Sequence, residues 1–244
     1  MSMFELELRR IMHDRTELYI RAAQPIFWLI IYGTIIARTR AILVGIPYID
    51  YITPGVIMQS TVFVSVFYGL TLVWERESGI LKRLITTPSP RYAIIIGRSL
   101  ASGVRGLFQL LILVPIALLL GVRFYSPLFF IATIPIIIVI SSGFASLSVI
   151  IASFMKTRER FMGIGQAMIL PLFFSSNALY PLQLMPKVLQ YVAIINPMTY
   201  GVNLCRSFMI TGNFSSTLID ILVAILFDAV MYIIASLRFR KIIE

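Results

Sequence analysis

Two carboxylates, Asp220 and Asp228, interrupt the apolar run from Ser215 to Leu237, and in this 244-residue chain they are the first candidates for acid–base chemistry. A proton-sharing dyad needs its carboxyls about 3 Å apart. Eight residues of helix separate these two by about 12 Å. The single histidine, His13, makes no metal cluster, and the single cysteine, Cys205, cannot form an internal disulfide. The chain has no phosphate-binding loop (G-x-x-x-x-G-K followed by Ser or Thr), no H-E-x-x-H and no G-x-S-x-G elbow. No catalytic, cofactor-binding or metal-ligating residue is therefore assigned, and a nucleotide, if used, belongs to another subunit.

Residues Glu75 to Leu84 offer recognition instead of catalysis. Glu75, Arg76, Glu77, Lys82 and Arg83 bring both signs of charge together, and the breaker run Thr86-Thr87-Pro88-Ser89-Pro90 follows. Ile80, Leu81, Leu84 and Ile85 recur at helical spacing around Lys82 and Arg83, which predicts a short amphipathic helix from about Ser78. Such a helix needs a partner face, on another protein or on its own.

The elements that position this stretch are apolar. With 59% hydrophobic and 13% charged residues, the composition is that of an all-α polytopic membrane protein. The net charge of +10 sits at the edges of apolar blocks, where it orients the chain in a membrane instead of binding nucleic acid. Residues 1–21 read as a cytoplasmic amphipathic interfacial helix, with Arg9, Arg10, Arg15 and Arg21 facing anionic headgroups. Residues 22–244 form one transmembrane domain, with six spans expected at about 22–37, 51–74, 106–122, 128–155, 161–180 and 215–237. The first span has only sixteen residues, about 24 Å, and crosses if Arg21 and Arg38 snorkel. The stretch 75–98 is a charged loop between the second and third spans. Residues 181–213, broken by Pro181, Pro186 and Pro197, hold apolar pieces too short to cross and are expected to form short re-entrant helices.

This topology puts sixteen Lys and Arg on the side of the N-terminus and five on the other, so both termini are expected in the cytoplasm. Asp228 falls near the middle of the last span, where a charge is costly unless paired, hydrated or protonated. Asp220, nearer the outer end, is a candidate partner for Arg123 or Arg206. Tyr48, Tyr51, Tyr125, Tyr180, Tyr191 and Tyr200 all fall on the outer side, as belt residues or as a stacking surface for cargo. Asp228, Tyr180 and Tyr200 are the candidates for a translocation path.

The run from Trp74 to Leu84, followed by Thr87-Pro88 and Gly97-Arg98, resembles the first cytoplasmic loop of ABC-2 type permeases, the membrane subunits of ABC exporters. Tyr180-Pro181-Leu182, Leu184-Met185-Pro186 and Ile195-Asn196-Pro197-Met198-Thr199-Tyr200 are similar to that family's outer loop before the last span. The resemblance implies a coupling helix seated in a groove of a separate ABC ATPase. Ile80, Leu81 and Leu84 would be buried there, Gly79 and Arg83 would belong to the same peg, and Glu75, Arg76 and Glu77 would position it by ion pairs. It further implies two ATPase copies that bind ATP and Mg2+, a second permease chain forming a homodimer, and export of a lipid-like, drug-like or glycan cargo through the cytoplasmic membrane. The alternative from another class is an ATP-independent channel or a proton-coupled carrier that uses Asp228.

Overall fold

The computed structural model describes residues 15–38, 42–43, 45–79, 91–155 and 157–238. In chain order these form α1 (Arg15–Arg38), a small antiparallel ladder of β1 (Ile42–Leu43) with β2 (Ile46–Pro47), α2 (Tyr48–Glu77), α3 (Arg91–Leu119), α4 (Pro127–Phe154) and α5 (Arg158–Phe174). A 3-10 turn at Leu182–Leu184, α6 (Lys187–Ile195), α7 (Pro197–Arg206) with a π turn at Ser207–Thr211, and α8 (Thr217–Arg238) complete the bundle.

Helix α2 is the axis of the molecule. It packs against α1, α3, α4, α5 and α7 and is buried along most of its length. Its valines and isoleucines alternate with serine, threonine and glycine, so neighbours approach closely on every side. Two of the hydroxyls this buries turn back on the helix itself, Thr53 Oγ1 donating to the Ile49 carbonyl at 2.7 Å and Ser65 Oγ to that of Thr61 at 2.8 Å, while Ser60 Oγ reaches across to Gln109 Oε1 of α3 at 2.9 Å. Helix α8 is the opposite case, keeping Leu218, Leu222, Leu226, Ile233 and Leu237 exposed on one broad apolar face. A face of that kind suits acyl chains or another apolar helix.

Four described helices are long and apolar enough to cross a membrane: Tyr48–Glu77, Ile95–Leu119, Phe130–Phe154 and Thr217–Arg238. The chain is a multi-pass membrane protein, and its described residues are all-helical apart from the two-residue ladder. The other two expected spans fall in α1 and in α5, which has 17 residues and covers about 26 Å. α5 ends at Phe174, short of the expected 180, because polar residues take over. Ser175 N bonds the Pro171 carbonyl at 2.9 Å, and Ser176 Oγ caps that of Phe173 at 2.7 Å.

Two further boundaries move. Helix α1 runs through Arg21 without a break at the expected border, and the Arg21 guanidinium carbon lies 5.3 Å from the Phe67 ring centre and 5.9 Å from that of Phe63. Most of the expected interfacial helix, residues 1–14, lies outside the described residues. Helix α3 begins at Arg91, well before the expected 106, so Arg98 and Arg105 are buried within a helix that continues into the membrane span. Each guanidinium has a built partner there: Glu75 for Arg98, and the Tyr68 ring, 5.3 Å away, for Arg105.

Candidate functional site

The last turn of α2 carries Trp74, Glu75, Arg76 and Glu77, and a helix points consecutive residues in different directions. Glu75 turns inward and forms a buried ion pair with Arg98 of α3. Arg76 Nη2 donates to the Met155 carbonyl, just past α4, at 2.7 Å. Glu77 accepts from Arg158 Nε, at the start of α5, at 2.6 Å, and the Arg158 guanidinium carbon lies 5.9 Å from the Trp74 ring centre. One helical turn thus binds α3, the end of α4 and the start of α5. Ser78 Oγ then closes on the Trp74 carbonyl at 2.9 Å, and Gly79 takes φ +73, a left-handed conformation that lets the chain leave the helix axis.

Of the expected coupling residues, Glu75, Arg76, Glu77 and Gly79 therefore gather at one end of the bundle, and the partners of the three charged ones belong to this chain. Ile80, Leu81, Arg83 and Leu84 lie outside the described residues. Sequence reasoning did not connect Met155 and Arg158 to this cluster. The only signal was that the 156–160 turn shares its expected membrane side with residues 75–98.

At the opposite end, Arg206 lies at the last turn of α7. Its guanidinium carbon sits 3.8 Å from the Tyr51 ring centre, and Nη2 donates to the carbonyls of Asn177 at 2.8 Å and Tyr51 at 3.3 Å. The Tyr51 hydroxyl donates to the same Asn177 carbonyl at 3.1 Å. Asn177 Nδ2 bonds Asn203 Oδ1, and Asn203 Nδ2 reaches Asp220 Oδ1 at 3.3 Å, while Ser216 Oγ serves Asp220 Oδ2 at 3.0 Å. The network joins α2, the turn after α5, α7 and α8. Asp220 is held by an amide and a hydroxyl, not by the Arg123 or Arg206 partner considered above. Arg123 donates its backbone N–H to Asp50 Oδ1 at 3.2 Å.

The Asn196-Pro197-Met198-Thr199-Tyr200 run has a mechanical explanation at this end. The Asn196 side chain caps α7 by accepting from Met198 N at 3.0 Å, and Pro197 fits the first helical position, where no N–H is needed. Asn196 Nδ2 donates to the Leu172 carbonyl at 2.6 Å, tying α7 to the end of α5. The Tyr200 hydroxyl donates to the Ile194 carbonyl at 2.6 Å, and that of Tyr180 to the Phe174 carbonyl at 2.7 Å. Both tyrosines thus close the ends of preceding helices.

Asp228 stands elsewhere, where α8 crosses α4. A Cβ on Gly143 would meet the Phe227 ring at 2.8 Å and Asp228 Cα at 3.3 Å, so glycine sets the closeness of this crossing. Phe144 and Phe227 pack with ring centres 5.1 Å apart. The Asp228 carboxyl accepts from the Ser142 hydroxyl, and its Oδ1 is buried with no partner among the described residues. No hydrogen bond joins Asp228, Tyr180 and Tyr200 among the described residues. Cys205 is buried in α7, where desolvation pushes its thiol up to about 12 and keeps it neutral. Among the described residues no group of His, Cys, Asp and Glu is placed to hold a metal.

The comparisons agree with this architecture. The chain is 25% identical over 237 residues to the transport permease ycf38 of Cyanophora paradoxa, covering 91% of this chain and 80% of that one. It is 25% identical over 200 residues to the doxorubicin resistance ABC transporter permease protein DrrC of Mycobacterium tuberculosis, covering 82% of this chain and 72% of that one. Nodulation protein J of Rhizobium leguminosarum bv. viciae is 20% identical over 221 residues, or 90% and 85% of the two chains. Residues 1–210 match the ABC-2 type transporter family, and this chain, with its bundle of membrane-crossing helices, belongs to that family.

Proposed function

We propose that the chain is the permease subunit of an ATP-driven exporter, coupling ATP hydrolysis in a separate ABC ATPase to export of a lipid-like, drug-like or glycan substrate through the cytoplasmic membrane. Two ATPase copies bind ATP and Mg2+, and a second copy of the permease completes the path. The chain crosses six times, α1 and α5 serving as the additional spans, with Arg158 and Arg160 snorkelling at the foot of α5. Both termini are cytoplasmic, and so is the Arg98 end. The drug-resistance relative favours an amphipathic cargo.

The observation that carries this reading is the clamp around Glu75. The segment 80–90, with Ile80, Leu81, Arg83 and Leu84, leaves α2 just beyond it and returns into α3 just before Arg98. A force applied to that segment by the ATPase therefore moves α2 and α3 together, and Arg76 and Glu77 pass it to the α4–α5 connection. The ATPases need only prefer one of two arrangements of these helices for ATP binding to shift the population.

Reconstitution with the ATPase partner in vesicles tests this. Replacing Gly79 to Leu84 with a flexible linker should abolish co-purification of the ATPase. Glu75→Ala should retain hydrolysis but lose about tenfold or more of the ATP-dependent transport, the scale of a typical coupling free energy. The partnerless Oδ1 of Asp228 supports a second reading, a proton-coupled carrier. Transport without ATP that follows a proton gradient and disappears in Asp228→Asn selects it.

A further inference from the structure

The π turn at Ser207–Thr211 separates two concavities that no part of the coupling reading uses. The first is a polar pocket of about 140 Å³, lined by Asn203, Arg206, Ser207, Thr211 and Ser216 among others. The second is a wholly apolar groove of about 370 Å³ between α4, α7 and α8, lined by Ala132, Pro135, Leu204, Phe208, Ile221 and Ala224 among others. They share the α7–π segment, with Asn203 beside Leu204 and Ser207 beside Phe208. The polar pocket ends at Ser216, just before α8, and along that helix the groove follows at Ile221 and Ala224, about 8 and 12 Å further on. A polar socket at the helix ends above an apolar slot is the outline of an amphiphile.

Charge selects its headgroup. Among the described residues no carboxylate pairs with Arg206, because Asp220 is held by Asn203 and Ser216. The guanidinium spends Nη2 on two carbonyls, and its Nε is buried with no partner. The Tyr51 ring, 3.8 Å away, eases this charge but does not cancel it, and a partly desolvated cation that lines a pocket favours an anion there. The Ser207 hydroxyl stands in the same pocket and can donate to another oxygen of a phosphate, whereas Thr211 Oγ1 is held locally, donating to the Arg206 carbonyl at 3.5 Å and accepting from Asn213 N at 3.3 Å. Basic pockets between membrane helices suit anionic headgroups, and an apolar slot below suits an acyl chain.

We propose that Arg206 and the α4/α7/α8 groove form a binding site for an anionic phospholipid of the leaflet at that end, with its phosphate on Arg206 and one acyl chain along Leu204, Phe208 and Ala224. This rests on the chain spanning a bilayer, not on its being ATP-driven. It concerns an end of the bundle remote from the Glu75 clamp.

The test is native mass spectrometry of the full chain, delipidated in detergent and titrated with phosphatidylglycerol, phosphatidylcholine or glycerol phosphate, without nucleotide. Phosphatidylglycerol should bind in preference to phosphatidylcholine. Arg206→Gln should weaken it by about tenfold or more, the loss of a hydrogen bond to a charged group. Arg206 also ties α2 to α7, so a second variant is needed. Ala132→Phe fills the groove without touching the network, and it should weaken both lipids. Equal binding of the two lipids, no effect of Ala132→Phe, or full displacement by glycerol phosphate would each overturn the proposal, the last assigning the pocket to a soluble anion. Because no ATP is present, failure here leaves the exporter reading intact, and failure of ATP coupling leaves this site intact.

Discussion

The two ends of the bundle hold their helices together by different means. At the Arg98 end, two carboxylates of α2 are matched by guanidinia of α3 and α5, so Glu75 and Glu77 each meet an opposite charge on another helix. At the Arg206 end one guanidinium is surrounded by carbonyls, amides and a tyrosine ring. Matched charges make a stiff joint that transmits displacement, and removing one member leaves the other uncompensated. A cation held by carbonyls and a ring, with no carboxylate directly on it, leaves a charge for a ligand. The proposed coupling site and the proposed lipid site therefore fall at opposite ends, joined by α2, which contributes Glu75 to one and Tyr51 to the other.

The largest way to break this contrast is Glu75→Ala, which strands Arg98 in a buried site and should cost about 3–5 kcal/mol. Thermal unfolding in detergent measures it. The exchange of Glu75→Arg with Arg98→Glu should recover much of the loss if the pair acts as a joint. Next is Gly143→Ala at the α4–α8 crossing, where the added methyl meets the Phe227 ring at 2.8 Å. Overpacking of this kind costs about 1–3 kcal/mol, and the same melt reads it without a change in ATPase binding.

Asn196→Ala should follow at about 1–2 kcal/mol through loss of the α7 cap. Asn196→Asp sharpens the point, because it keeps the oxygen that accepts from Met198 N but removes the donor to Leu172. A defect shared by both variants locates the value of this residue in the tie to α5. The smallest effect belongs to Glu77→Gln. Its pair with Arg158 is solvent-accessible, at 32% and 44% side-chain exposure, and should contribute under about 1 kcal/mol and fade with added salt.

Much of the fold was legible because the bilayer imposes long uncharged runs. The stretches expected at 51–74, 128–155 and 215–237 correspond to Tyr48–Glu77, Pro127–Phe154 and Thr217–Arg238. The start of α3 was not, because hydropathy treats Arg98 and Arg105 as boundaries and cannot see that Glu75 and Tyr68 wait for them on α2. The early end of α5 was hidden for a related reason. Ser175, Ser176 and Asn177 read as tolerable within a span until their bonds to neighbouring carbonyls turn the chain. Tyr180 and Tyr200 stood out as possible cargo contacts, and the bonds by which each hydroxyl closes a helix end six residues upstream follow no sequence pattern.

What the sequence by itself determined is the solvent of this protein and the family to which it belongs: apolar runs fit only a membrane, and the motifs at 74–84 and 180–200 resemble those of ABC-2 type permeases. What only the tertiary structure decided is which charges cancel. Glu75 and Arg98 are 23 residues apart, and Asn203 comes between Arg206 and Asp220 only once α7 and α8 are packed. Hydropathy is a sum over neighbours in sequence, whereas the cost of a buried charge is set by neighbours in space.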